Sequence, residues 1–158
     1  LCGVLYSQLG KYPAPVSERS RAHVVEAVQS LAADADGVGV KVSLEVVNRY
    51  ETNVVNTAAQ MLELLDETGT DVAIHLDTYH MNQEEEDPLA AIRAVGPRMV
   101  DFHVADSNRR PPGQGAIDWE PILRALDEIE YHGHLTAEVD PPRDRSRLAS
   151  VPEEGRIG

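Results

Sequence analysis

Glu45, Asp77, His103 and Glu138 each stand at the end of a short run with β-like patterning, and each run is followed by a turn or helix signal. Two glutamates, one aspartate and one histidine converging from successive strands would form an oxygen-rich site for a divalent metal. Two of those groups are also suited to hand a proton to and from a carbon atom. A buried carboxylate is costly unless it is paired or metal-bound. One strand-end acid means little, whereas four such residues in register point to a built site.

The elements that must position them can be read from periodicity. Residues 40–47 (VKVSLEVV) alternate and are rich in β-branched side chains, and residues 72–77 (VAIHLD), 99–105 (MVDFHVA) and 134–139 (HLTAEV) behave similarly. All four runs are short, apolar on both faces and separated by helical segments, which predicts buried parallel strands in βα units. Ser17 is placed to cap a helix with Val24, Val25, Val28 and Leu31 on one face, ended by Gly37 and Gly39. Asn53 or Asn56 starts the next, which carries Ala58, Met61, Leu62 and Leu65 and stops at Gly69. Asp87-Pro88 is an N-cap with proline at the first helical position, and Gly96-Pro97 ends that helix. Asp118 opens the last, bearing Ile122, Leu123, Leu126 and Ile129 and closed near Gly133. The order is β–α–β–α–β–α–β, preceded by a further strand in residues 1–6.

The candidate ligands lie 32, 26 and 35 residues apart along the chain, and a βα crossover unit takes roughly 30. In a TIM barrel, polar residues at the C-terminal ends of the strands face the active-site mouth. With 158 residues, 42% of them hydrophobic, the chain can bury a core and reads as one domain. A full barrel takes about 250 residues. The expectation is therefore the C-terminal portion of a barrel, about strands 4 to 8, or a subunit that must pair to close its sheet. Residues 1–140 form that portion, and residues 141–158, rich in Pro, Arg and Ser and without periodicity, are expected to be an irregular, mobile tail.

The net charge of −13 disfavours nucleic acid and anionic membrane as partners, because phosphate attracts basic patches. Cys2 is the only cysteine, which excludes an intrachain disulfide and fits a reducing compartment, so the cytoplasm is the expected location. No run is long and apolar enough to span a bilayer. Gly113 and Gly115 belong to a loop and make no phosphate-binding fingerprint. His75 in mid-strand, Asp101, His132 and His134 read as structural, Arg110 as a surface group, and Trp119 as a packing anchor.

Four segments carry a resemblance to a known family: SLEVVNRYETNVVNTAAQ (43–60), HLDTYHMNQEE (75–85), DFHVADSNRRPPGQG (101–115) and TAEVD (136–140). Together they resemble the ketose 3-epimerases of the tagatose/psicose (allulose) group, within the xylose-isomerase-like sugar isomerase/epimerase TIM barrels. The resemblance covers about residues 1–140. It implies an α/β fold, a partial TIM (β/α)8 barrel, and a divalent metal, usually Mn²⁺ with Co²⁺ or Mg²⁺ as alternatives, held by Glu45, Asp77, His103 and Glu138. The donor set itself agrees: three carboxylates and one imidazole without thiolate suit Mn²⁺ or Mg²⁺ better than structural Zn²⁺.

The implied reaction is epimerisation of a free ketose at C3. The C3 proton is removed from one face and returned on the other through an enediolate, with Glu45 and Glu138 as the acid and base. By the same resemblance Glu51, His80 in the DTYH turn and Arg109 contact the ketose oxygens, and the chain acts as a homo-oligomer or together with the missing N-terminal half-barrel. Two departures stand out. Many members have Gly-Glu where this chain has Ala105-Asp106, and an aromatic residue followed by a long helix where Val139, Asp140 and the tail follow Glu138. The alternatives are a related sugar (phosphate) isomerase or hydroxypyruvate isomerase, for which no cationic cluster to hold a phosphate is evident, and a non-catalytic barrel fragment.

Overall fold

The computed structural model describes residues 1–140; the segment expected to be a tail lies outside the described residues. Five strands, β1 (Cys2–Gly3), β2 (Ser43–Glu45), β3 (Ala73–Asp77), β4 (Met99–Val104) and β5 (His134–Ala137), form one sheet in chain order, and every neighbouring pair is parallel. Between them run α1 (Glu18–Gly37), α2 (Ala58–Thr68), α3 (Thr78–Glu84), α4 (Pro88–Val95) and α5 (Trp119–Glu128). This is the expected βα alternation with one helix added. No helix among the described residues is long and apolar enough to cross a membrane.

Strand alternation divides the sheet. Leu44, Ile74, Leu76 and Phe102 are fully buried and join Val28, Met61, Leu65, Ile92 and Ile122 from the helices in one core. Glu45, His75, Asp77 and His103 occupy the alternate positions and so share the opposite face. The register pairs Glu45 with His75 and Asp77 with His103 on adjacent strands. Two successive levels of polar groups result, one pair above the other.

The helix boundaries show where local chemistry departs from the sequence reading. Ser17 caps α1, its side chain accepting from the Ser20 N–H. Neither Asn53 nor Asn56 caps α2. Thr57 does, in a reciprocal capping box with Gln60, while the Asn56 amide donates to the Val47 and Thr52 carbonyls instead. Helix α5 begins after Asp118, whose side chain makes no capping bond, and ends at Glu128 rather than near Gly133. Glu130, at φ +51°, turns the chain there. The strand expected over residues 1–6 contracts to Cys2–Gly3. The last strand, expected to be buried, is exposed at all four residues because β5 is a sheet edge. At α4 the Asp87 carboxylate accepts from the Leu89 and Ala90 N–H groups, both at 3.0 Å. Asp87→Ala is expected to cost about 1 kcal/mol, read as a melting point lowered by roughly 3 °C.

Candidate active site

Each of the four strand-end residues arrives at the same, C-terminal end of the sheet. Glu45 and Asp77 are the last residues of β2 and β3, His103 is the penultimate residue of β4, and Glu138 follows β5 directly. One side-chain ligand atom from each lies within 4.8 Å of those of the other three. His103 Nδ1 is 2.8 Å from Glu138 Oε2 and 3.8 Å from both Glu45 Oε1 and Asp77 Oδ2. Arg109 bridges the cluster, its Nη1 donating to Asp77 Oδ2 at 2.7 Å and its Nη2 lying 2.6 Å from Glu138 Oε2. Asp77 is fully buried and Glu45 nearly so.

Three converging carboxylates with one guanidinium crowd negative charge into a poorly solvated place, which shifts the acidity of each group. Burial, then the Glu138 and Asp77 charges, push the Glu45 carboxyl up to about 8. Burial raises Asp77 to about 6 against the opposing pull of Arg109. Burial also acts upward on Glu138, but the His103 hydrogen bond and the Arg109 charge outweigh it and hold that carboxyl below the usual range. Oxygen-rich donors crowded together with unspent charge suit a hard divalent cation, and these residues fit one.

His80 was expected in a turn. It lies instead in α3 and is buried, because the Asp77 carboxylate accepts from the Tyr79 N–H and so caps a helix that begins immediately after β3. The Asn48 backbone N–H donates to His80 Nδ1 at 3.2 Å, which makes that nitrogen the acceptor and leaves the proton on Nε2, 4.0 Å from Glu45 Oε1. Burial first, then the Arg109 charge, lower His80 to about 3, so the ring is neutral and its Nε2–H is a hydrogen-bond donor at the cluster. Glu51 accepts from the Asn48 side chain at 3.2 Å and lies 3.9 Å from His80 Nδ1, at the more exposed rim. The structure thus brings all the sequence-selected residues, Glu45, Glu51, Asp77, His80, His103, Arg109 and Glu138, to one end of the sheet.

The residues that hold Arg109 in place also matter here. Tyr79 stacks under the Arg109 guanidinium at 4.6 Å. Arg109 itself sits at φ +59°, an unusual conformation for a side-chain-bearing residue. What fixes it is Asp106, fully buried, whose carboxylate accepts from the Ser107, Gly113 and Ile117 N–H groups and from the Trp119 indole. The Asp106 carbonyl in turn accepts from the Arg109 N–H. Trp119 is therefore more than a packing anchor. Gly115 is required beside it, since a Cβ there would overlap the Asp106 carboxylate. Burial acts upward on Asp106, yet the indole and backbone donors prevail and hold it well below the usual 3.8. A lowered carboxyl lends stability above pH 3.8 that is lost as acid titrates it. Asp106→Asn is expected to cost about 2 kcal/mol at pH 7 and to flatten the loss below pH 4, both measurable by urea unfolding.

A family model described as the xylose isomerase-like TIM barrel matches residues 3–154. The chain belongs to that family. Within it, the chain is 46% identical over 139 residues to an L-ribulose 3-epimerase from Methylomonas sp. (strain DH-1), covering 87% of this chain and 49% of that protein. It is 42% identical over 138 residues to a ketose 3-epimerase from Arthrobacter globiformis, covering 87% and 48%. Among solved structures, the D-allulose 3-epimerase from Methylomonas sp. in complex with D-allulose superposes with a TM-score of 0.85 at 42% identity, over 94% of this chain and 54% of that one. The chain spans about half the length of the curated relatives it matches. Its five parallel strands are accordingly half of a xylose isomerase-like barrel.

Proposed function

We propose that this chain supplies the catalytic half of a metal-dependent ketose 3-epimerase, acting on a free ketose at C3 through an enediolate. The observation that carries the reading is the convergence of Glu45, Asp77, His103 and Glu138 within 4.8 Å at the C-terminal end of the sheet. In this reading residues 1–140 are the C-terminal part of the barrel, the four residues hold a divalent cation, Mn²⁺ before Co²⁺ or Mg²⁺, and the protein works in the cytoplasm as a homo-oligomer or with the other half of the barrel. When bound, such a cation would supply a Lewis acid that offsets the negative charge developing beside the ketone.

The chain's own residues do the rest. Glu45 comes from β2 and Glu138 from the far edge beside β5, so two carboxylates reach the cleft from different strands. Removal of a C3 proton by one and its return by the other inverts that carbon. Which of them acts first depends on the substrate epimer. His80, as an Nε2–H donor, and Arg109, held by Asp77 and Tyr79, orient the ketose oxygens, and Glu51 contacts the substrate from the rim. The relatives point the same way: their names are those of 3-epimerases of ketoses, D-psicose among them.

The test is the chain alone, and the chain fused to the N-terminal half of the Methylomonas relative, each incubated with Mn²⁺ and D-psicose or L-ribulose in D2O. Epimer formation with deuterium entering only at C3 is expected from the fused form. Deuterium entering at C1 instead would favour an aldose–ketose isomerase, and no exchange by a folded, metal-loaded fusion would overturn the reading.

A further inference from the structure

One polar group at the site has no place in this account. His75 is fully buried in β3, and neither of its ring nitrogens has a hydrogen-bond partner among the described residues. Strand alternation sets it on the same face as Asp77, one level deeper. Its Nδ1 lies 3.9 Å from Glu45 Oε2, and its ring meets His103 edge-on at a centroid distance of 3.9 Å. Glu45, His75 and His103 offer three ligand atoms within 4.8 Å of one another. A buried imidazole without partners is costly, and a cation beneath the carboxylates would satisfy it. Two metal–ligand bonds of about 2.1 Å span at most about 4.2 Å, a span that includes the His75–Glu45 separation.

We propose that Glu45, His75 and His103 form a second, nitrogen-rich cation position beneath the oxygen-rich one, taken by the late first-row ion Zn²⁺. The inference rests on the cation reading of the four-residue cluster, since both positions share Glu45 and His103 and exclude one another. The donor sets differ in kind. The upper position offers three carboxylates and one imidazole, the lower one carboxylate and two imidazoles. Imidazole favours the later ions, and carboxylate suits Mn²⁺ and Mg²⁺. A late ion in the lower position would draw Glu45 and His103 inward, away from Asp77 and Glu138, and would withdraw Glu45 from proton transfer.

X-ray absorption on the purified chain with one equivalent of metal reads the number of imidazoles directly. Two around Zn²⁺ and one around Mn²⁺ are expected. By calorimetry His75→Leu should weaken Zn²⁺ binding by about 100-fold and leave Mn²⁺ binding unchanged, with the fold checked by circular dichroism. If the variant does not fold, the wild-type imidazole count decides. One imidazole around Zn²⁺, or unaltered Zn²⁺ affinity in folded His75→Leu, overturns the lower position alone. Failure of the wild type to bind Mn²⁺ would instead overturn the cation reading on which it rests.

Discussion

In the chain completed to a full barrel, Glu45→Gln and Glu138→Gln should each lower exchange of the C3 hydrogen of a ketose with solvent deuterium by about 10²–10⁴-fold, the usual contribution of a placed acid or base. Glutamine keeps the length and one oxygen of each side chain but cannot carry the proton. Because both residues also belong to the cation cluster, the variant must be separated from simple loss of metal. Asp77→Asn and His103→Gln provide that contrast. In this reading Asp77, fully buried, paired with Arg109 and capping α3, and His103 serve as cation ligands alone. Their exchange should recover at saturating Mn²⁺, whereas that of the two glutamate variants should not. Deuterium exchange followed by NMR at increasing Mn²⁺ distinguishes the cases. Undiminished exchange in either glutamate variant would remove that residue from the proton-transfer pair.

The contrast also shows why some of this site was legible in the sequence and some was not. The strands announced themselves as short runs rich in β-branched residues between helix signals, so Glu45, Asp77, His103 and Glu138 stood out at their ends. Asp87-Pro88 and Ser17 were readable because capping is local chemistry within three residues. The start of α2 was not, since Asn53, Asn56 and Thr57 are all competent caps. What decides is the reciprocal pair in which the Thr57 hydroxyl accepts from the Gln60 N–H and the Gln60 side chain accepts from the Thr57 N–H. Helix α3 was hidden because Asp77 has two uses, as a strand-end acid and as an N-cap, and the sequence displays only the first without tertiary context. Asp106 looked like a shortened family residue, yet its four donors come from residues 107 to 119, a pattern that only the folded loop assembles. His75 carried a usable signal: with period two it must face the same way as Asp77. Its lack of partners, however, is a property of the packed interior.

Binding of Mn²⁺ should stabilise the chain far more at pH 8 than at pH 5. The Glu45 carboxyl, ordinarily near 4.5, is pushed to about 8 by burial and by the charges of Glu138 and Asp77. For a group raised on folding, the stability it lends is fully present below pH 4.5 and is lost as pH rises through 8. Asp77, raised to about 6, acts in the same direction over a narrower window. Without metal, these two groups therefore make the fold weaker at pH 8 than at pH 5. A divalent cation needs both ionised, so it must displace the Glu45 proton at neutral pH, and its affinity climbs with pH until that proton is gone. At a concentration a thousand times the dissociation constant the gain is about 4 kcal/mol, a rise of roughly 10 °C in melting temperature. Melting curves at pH 5, 7 and 8.5 with and without Mn²⁺ check the trend, and calorimetry in two buffers of different ionisation enthalpy counts the proton released. Glu45→Gln should remove the larger part of both the loss of metal-free stability up to pH 8 and the proton release on binding, leaving the smaller share of Asp77 near pH 6. A Mn²⁺ effect larger at pH 5 than at pH 8 would mean that the cation is held elsewhere than among these carboxylates.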